Sequence, residues 1–195
     1  MKIKKITLSQ IFTALLVLFV AAYLYSNHVK SWVIMGLMMI GFFKPHIQEV
    51  KPGEKLPQAP AMVVQSNTGK VIDLQQQKGK VVFINFWATW CPPCLAELPS
   101  VNSLYLKVKD NPNIVFLSVD VDNTLPKSTL LLQKRGYQFP VYSAAVDRLP
   151  PSFFSGTIPT TVIVDKKGFV VYNHVNSADY DDDKFTQYII GLSNQ

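Results

Sequence analysis

Cys91 and Cys94 are the only cysteines among 195 residues, and they sit three apart in the run Phe86-Trp87-Ala88-Thr89-Trp90-Cys91-Pro92-Pro93-Cys94. Two thiols at that spacing can exchange with a disulfide: one sulfur attacks, a mixed disulfide forms, and the second sulfur resolves it. A lone thiol would stall at the mixed disulfide. The β-branched and aromatic run Lys80–Trp87 before the motif reads as a strand buried on both faces. After it, Leu98, Val101, Leu104, Tyr105 and Val108 recur at helical spacing, giving a helix from Pro92 to about Lys109. Cys91 therefore falls at a helix N-terminus, where unpaired N–H groups and the helix dipole favour a thiolate. The expected arrangement is an exposed nucleophilic Cys91 beside a buried Cys94. Pro92 suits the first helical position, yet Pro92 and Pro93 both lack an N–H. Donation to the Cys91 sulfur is left to Cys94 and Leu95, so its pKa should be lowered moderately rather than extremely.

Other chemistries fit the residues less well. A zinc site would need two more ligands, and the histidines are His28 and His46 near the start and His174 near the end. No metal and no cofactor beyond the cysteine pair is expected. Asp120-Val121-Asp122 is read as a solvated loop rather than a metal pair, and Asp179–Asp183 as a helix start. His174 is read as a surface residue. Trp90 is expected as an exposed aromatic contact for partner proteins and Trp87 as core.

The rest of the chain supplies elements able to position the motif. Ala61–Gln65 and Lys70–Asp73 flank Asn67-Thr68-Gly69 as a hairpin. Ile114–Val119 is a second buried strand, Leu125–Gly136 a second helix, Thr160–Val164 and Phe169–Tyr172 a second hairpin, and Asp181–Leu192 a closing amphipathic helix. The order β-α-β-α-β-β-α behind an N-terminal hairpin implies an α/β fold: a central mixed sheet covered by helices on both faces. The loop Ala144–Gly156, with Phe153 and Phe154, is unusually apolar and is expected to pack on the core.

Apolar residues make up 48% and charged residues 16%, which excludes a disordered chain. The net charge of +6 is concentrated before residue 50, where five lysines face the single acid Glu49. The remainder is nearly balanced, so nucleic acid is not an expected partner. Lys2, Lys4 and Lys5 precede an uncharged stretch, Ile6–Val29, most apolar from Ile11 to Tyr25. As a helix it would reach roughly 36 Å, enough to cross a bilayer with the lysines left in the cytoplasm. The alternative is a cleavable signal peptide with small residues at Val20-Ala21-Ala22. Ser31–Phe43 is apolar but only thirteen residues long, and reads as an interfacial helix held by Trp32, Phe42 and Phe43 between Lys30 and Lys44. His46–Pro60 is a Pro-containing tether. The expected organisation is a membrane anchor over 1–30, an interfacial helix over 31–44, a linker over 45–60 and a globular domain over 61–195.

The run from Trp87 to Cys94 after a β-run, joined to Thr157-Ile158-Pro159-Thr160-Thr161, resembles the thioredoxin superfamily, and within it the membrane-anchored TlpA/ResA-like thiol–disulfide oxidoreductases. The resemblance covers about residues 52–195. It implies a thioredoxin-like fold with Cys91 attacking, Cys94 resolving and Pro159 a cis-proline beside the disulfide. Trp90, Pro92, Pro93, Ile158 and Pro159 would form the contact surface, Ile158 pairing its backbone with an extended substrate chain. Thioredoxins proper carry a buried Asp on the preceding strand; this chain has Asn85 there. Glu97 matches a glutamate of the ResA-like branch tied to acid–base behaviour, and could take the Cys94 proton. The alternative for Glu97 is a solvated side chain in the helix's second turn.

What the resemblance implies about function is a membrane-tethered reductase of disulfides in exported proteins. It places a single-pass protein in a bacterial inner membrane with its domain in the periplasm. Cytochrome c apoproteins or other envelope proteins would be substrates, recharged by a transmembrane thiol donor of the DsbD/CcdA type. A thiol oxidase on the same fold stays open, because the redox direction depends on how far the Cys91 thiolate is stabilised. A copper-delivery module would want C-x-x-x-C and a nearby His. A peroxidase pattern would need Pro and Thr where Ile84 and Ala88 stand.

Overall fold

The computed structural model describes residues 7–39, 42–47, 55–145 and 149–195. The lysines at 2, 4 and 5, the tether over 48–54 and the loop over 146–148 lie outside the described residues. Helices α1 (Leu8–Tyr25) and α2 (Asn27–Met39) precede strands β1 (Val63–Ser66) and β2 (Val71–Asp73), a 3₁₀ turn Leu74–Gln77, and β3 (Val81–Trp87). Then come α3 (Pro92–Val108), β4 (Ile114–Asp120), α4 (Leu125–Lys134), β5 (Val141–Ala144), β6 (Thr160–Val164), β7 (Val170–Val175) and α5 (Asp183–Ser193).

The seven strands form one mixed sheet in the order β2-β1-β5-β4-β3-β6-β7. β3 pairs in parallel with β4 and antiparallel with β6, so it is central, and all seven of its residues are buried. Side chains alternate across it. Phe83 and Trp87 join the cluster formed with α3, α4 and α5, while Val82, Ile84 and Phe86 join a second cluster on the opposite face. Asn85 shares the face of Phe83 and Trp87, the face on which α3 lies. Directly opposite it in the β6 register is Thr161.

The mixed sheet with flanking helices matches the expectation, but the helices are not shared between both faces. Among the described residues the second cluster holds no residue of α3, α4 or α5; Leu74 of the 3₁₀ turn, Phe153 and Phe154 cover it instead. The cause is β5, a strand that the expected order β-α-β-α-β-β-α does not include. β3-α3-β4 and β4-α4-β5 step in the same direction across the sheet, and right-handed crossovers then put both helices on one face. The apolar loop around Phe153 is buried against the core, as anticipated.

α1 is eighteen residues long with mean hydropathy 2.0 and no buried residue, enough by length and composition for a membrane span or a signal sequence. The second apolar segment begins earlier than expected, at Asn27, and lies along α3. Ser31 and Met38 are buried, and Ile47 packs at the edge of the main core cluster.

Candidate active site

The Cys91–Cys94 pair sits where β3 hands over to α3. Cys91 is the helix cap, with extended backbone, and Pro92 and Pro93 occupy the first helical positions. The two cysteines are joined as a disulfide, their Cα atoms 5.2 Å apart. The Cys94 N–H points at the Cys91 sulfur, 3.2 Å away. The Leu95 N–H, expected to do the same, instead bonds the Cys91 carbonyl at 3.0 Å, the first bond of the helix. Of the two donors anticipated for the sulfur, Cys94 alone serves it.

Cys94 is buried, as expected, but so is Cys91, at 2% exposure. Three things account for that. Its sulfur is turned inward to bond Cys94, it joins the apolar cluster with Trp87 and Ala88, and it lies 4.0 Å from the Ile158 carbonyl. The Ile158–Pro159 peptide is cis. The residues from both ends of the domain, Trp90–Cys94 and Ile158–Pro159, are therefore brought together, because β3 and β6 are sheet neighbours.

Glu97 is not solvated. One turn beyond Cys94 on α3, it is 0% exposed. The Asn85 side-chain N–H donates to its Oε1 at 2.7 Å, and the Ala178 N–H lies 3.3 Å from Oε2. Burial pushes its pKa from 4.5 up to about 8, with the Asn85 and Ala178 donors pulling the other way. In neutral solution this carboxyl holds its proton. Asn85 also donates to Thr161 Oγ1 at 3.0 Å, bridging β3, α3 and β6. Tyr180 is buried beside this group, and its hydroxyl is held protonated well above the usual range, by burial first and by the Glu97 charge second.

Several participants carried no signal in the sequence. The Ser31 hydroxyl bonds the Pro92 carbonyl at 2.9 Å, and the Ser177 hydroxyl bonds the Pro93 carbonyl at 3.1 Å. An isolated serine far from a motif announces nothing. Asp120 is likewise no solvated loop residue. Fully buried at the end of β4, it accepts from the backbone N–H groups of Asp122 and Thr124 and from the hydroxyls of Thr124 and Ser128, and so anchors the start of α4. Trp90 is exposed at 58% and its ring N–H donates to Asp122, whereas Trp87 is buried and donates to Ser118 at 2.7 Å. His174 is half-buried, stacked on Tyr172, and burial lowers its pKa. Asp182 caps α5 through the Phe185 N–H at 3.0 Å, so the acidic run does open a helix.

Comparison with known proteins agrees with this geometry. The chain is 38% identical over 114 residues to the thiol-disulfide oxidoreductase ResA of Bacillus thuringiensis (strain Al Hakam), covering 58% of this chain and 65% of that protein, just under two thirds of its length. To ResA of Bacillus cereus (strain ATCC 10987) it is 30% identical over 139 residues, 71% of this chain and 80% of the relative. Among solved structures, the thiol:disulfide interchange protein of Chlorobium tepidum superposes with a TM-score of 0.60 at 25% identity, covering 72% of this chain and 98% of that one. The fold is thioredoxin-like. The Redoxin family model matches residues 51–189, and the chain belongs to the Redoxin family.

Proposed function

We infer that this protein is a membrane-tethered thiol–disulfide oxidoreductase that reduces disulfides of exported proteins. The observation that carries the reading is the oxidised Cys91–Cys94 pair capping α3 with the Ile158 carbonyl beside it. In the reduced protein the Cys91 thiolate attacks a substrate disulfide, forming a mixed disulfide and releasing one substrate thiolate. Cys94 loses its proton and attacks Cys91. The second substrate thiolate leaves, two electrons have passed to the substrate, and the internal disulfide remains. Glu97, once deprotonated, accepts the Cys94 proton. Trp90, Pro92, Pro93, Ile158 and Pro159 form the docking surface, with Ile158 pairing to an extended chain. The disulfide is the only redox group this cycle requires.

α1 serves as the anchor and the domain lies outside the cytoplasm, supported by the length and apolarity of α1 and by the lysines that precede it. The resemblance to ResA-like proteins points to cytochrome c apoproteins or other envelope proteins as substrates, with a transmembrane thiol donor of the DsbD/CcdA type restoring the dithiol. The decisive experiment equilibrates the full-length protein in detergent against glutathione or dithiothreitol buffers. A potential below about −230 mV supports the reductase; one above about −180 mV makes the protein a disulfide donor instead.

A further inference from the structure

α1 and α2 meet at a single residue. The Ser26 N–H donates to the Ala22 carbonyl at 2.9 Å, closing α1. Its side-chain oxygen accepts from the Val29 N–H at 3.4 Å and its carbonyl from the Lys30 N–H at 3.2 Å, opening α2. A joint bonded to the helix on either side leaves little slack between them.

α2 is in turn fastened to the domain at two places. Near its start, the buried Ser31 hydroxyl shares its proton between the Asn27 carbonyl of α2 and the Pro92 carbonyl inside the redox motif, each at 2.9 Å. Beyond its end, the Asp179 N–H donates to the Phe43 carbonyl at 2.7 Å, with Met38 buried between the two attachments. Ser31 is six residues past Tyr25, about 9 Å of helix and at most roughly 20 Å of extended chain. Pro92 is the neighbour of Cys91, a further step of ~3.8 Å. The tether over 45–60 therefore joins two parts of one docked unit and does not set how far the motif stands from the end of α1.

Three aromatic side chains, of α2, of the segment beyond its end and of the motif, are exposed: Trp32 at 71%, Phe42 at 74% and Trp90 at 58%. Lys30 and Lys44 flank the segment. Exposed tryptophan and phenylalanine with adjacent lysines, directly continuous with an apolar helix, is the composition of a surface resting at lipid headgroups.

We propose that α2 clamps the Cys91–Cys94 motif at the bilayer surface, so that its exchange partner is a disulfide or dithiol presented at the lipid–water interface by a membrane-embedded protein. This rests on the reading of α1 as a membrane span. The chemistry is the exchange already described; what the clamp selects is where the second pair of sulfurs must be.

The test uses full-length protein in phosphatidylcholine vesicles with and without nitroxide on the headgroup. Trp32→Phe and the double variant Trp32→Phe/Trp90→Phe isolate the Trp90 emission by difference, with buried Trp87 as the internal reference. The expected result is loss of Trp90 emission with the headgroup nitroxide. A flexible insertion of about twelve Gly/Ser residues between Ser26 and Asn27, spanning roughly 20 Å and combined with Trp32→Ser and Phe42→Ser to remove the aromatic face of α2, should restore it. In parallel, a pyridyl disulfide on phosphatidylethanolamine should react faster than its soluble counterpart, and the insertion should remove that preference without changing the soluble rate. Protein that fails to float with vesicles overturns the anchor reading and the clamp together. Protein that floats with Trp90 unquenched, or with quenching and preference untouched by the insertion, overturns the clamp alone.

Discussion

The amide of Asn85 on β3 holds the carboxyl of Glu97 on α3, N–H to oxygen at 2.7 Å, with both side chains fully buried. The strand supplies the donor and the helix supplies the acid. The amide pulls the pKa of this buried carboxyl down against the effect of its burial.

Glu97→Gln should slow resolution of the mixed disulfide by about 10²-fold, the lower end of what a positioned general base contributes. The parent rate should climb through pH 8, where Glu97 loses its proton, and the variant should lose that step. Stopped-flow tryptophan fluorescence against pH, with a preformed mixed disulfide, reads both. A variant with the parent's profile removes Glu97 from the proton path.

Asn85→Ala removes the donor that lowers the Glu97 pKa, so the step in the rate profile should move above pH 8. The lost bond and the orphaned carboxyl oxygen should also cost about 1–3 kcal/mol of stability. Kinetics and urea unfolding of the same preparation separate the two effects, and an unshifted profile would show that the amide is structural only.

The same carboxyl sets a pH dependence of stability in the oxidised protein. Its folded pKa, about 8, lies above its ordinary value of 4.5, so between those pH values the folded chain binds the proton and the unfolded chain does not. Unfolding releases a proton there, and stability falls as pH rises, by up to about 5 kcal/mol in all. Urea midpoints of the oxidised protein should decline from pH 5 to 8, and in Glu97→Gln this contribution should vanish.

The redox motif was legible because its chemistry is local, two cysteines at one spacing with a buried strand before, whereas the place of Ile158-Pro159 beside it followed only from the resemblance to the thioredoxin superfamily. The sheet was legible wherever strands were long or joined by a short turn. β5 was not, since Val141–Ala144 is four residues long, follows Phe139-Pro140, and is a strand only through distant partners, Ser118 and Val119 on one side and Val64 and Gln65 on the other. Missing it also misplaced α4, because the face a helix takes depends on where its crossover ends. Docking of α2 on α3 was hidden for a related reason: an apolar helix shows that it must be covered and not by what. The burial of Glu97 likewise depends on Asn85 and Ala178, which no helical period reveals.

Asp120 offers a structural prediction that leaves the redox pair alone. Its carboxylate gathers four donors from Asp122, Thr124 and Ser128 in a buried site. Asp120→Ala should orphan several of them and cost on the order of 3 kcal/mol, while the potential of the Cys91–Cys94 pair stays at the parent value. A shift in potential would mean that the β4 end communicates with the motif through Asp122 and Trp90.

Trp90 separates docking from chemistry. Its ring is exposed at 58% beside a buried Cys91, so it contributes little to the core and belongs to the docking surface proposed above. Trp90→Ala should leave the unfolding free energy from urea titration within about 0.5 kcal/mol of the parent, as surface changes do. For a protein disulfide kcat/KM should drop about tenfold, the value of one aromatic contact of roughly 1.4 kcal/mol, while dithiothreitol oxidation by the disulfide form stays unchanged. Equal losses on both substrates would instead place Trp90 in the chemistry, acting on Cys91 through the backbone they share.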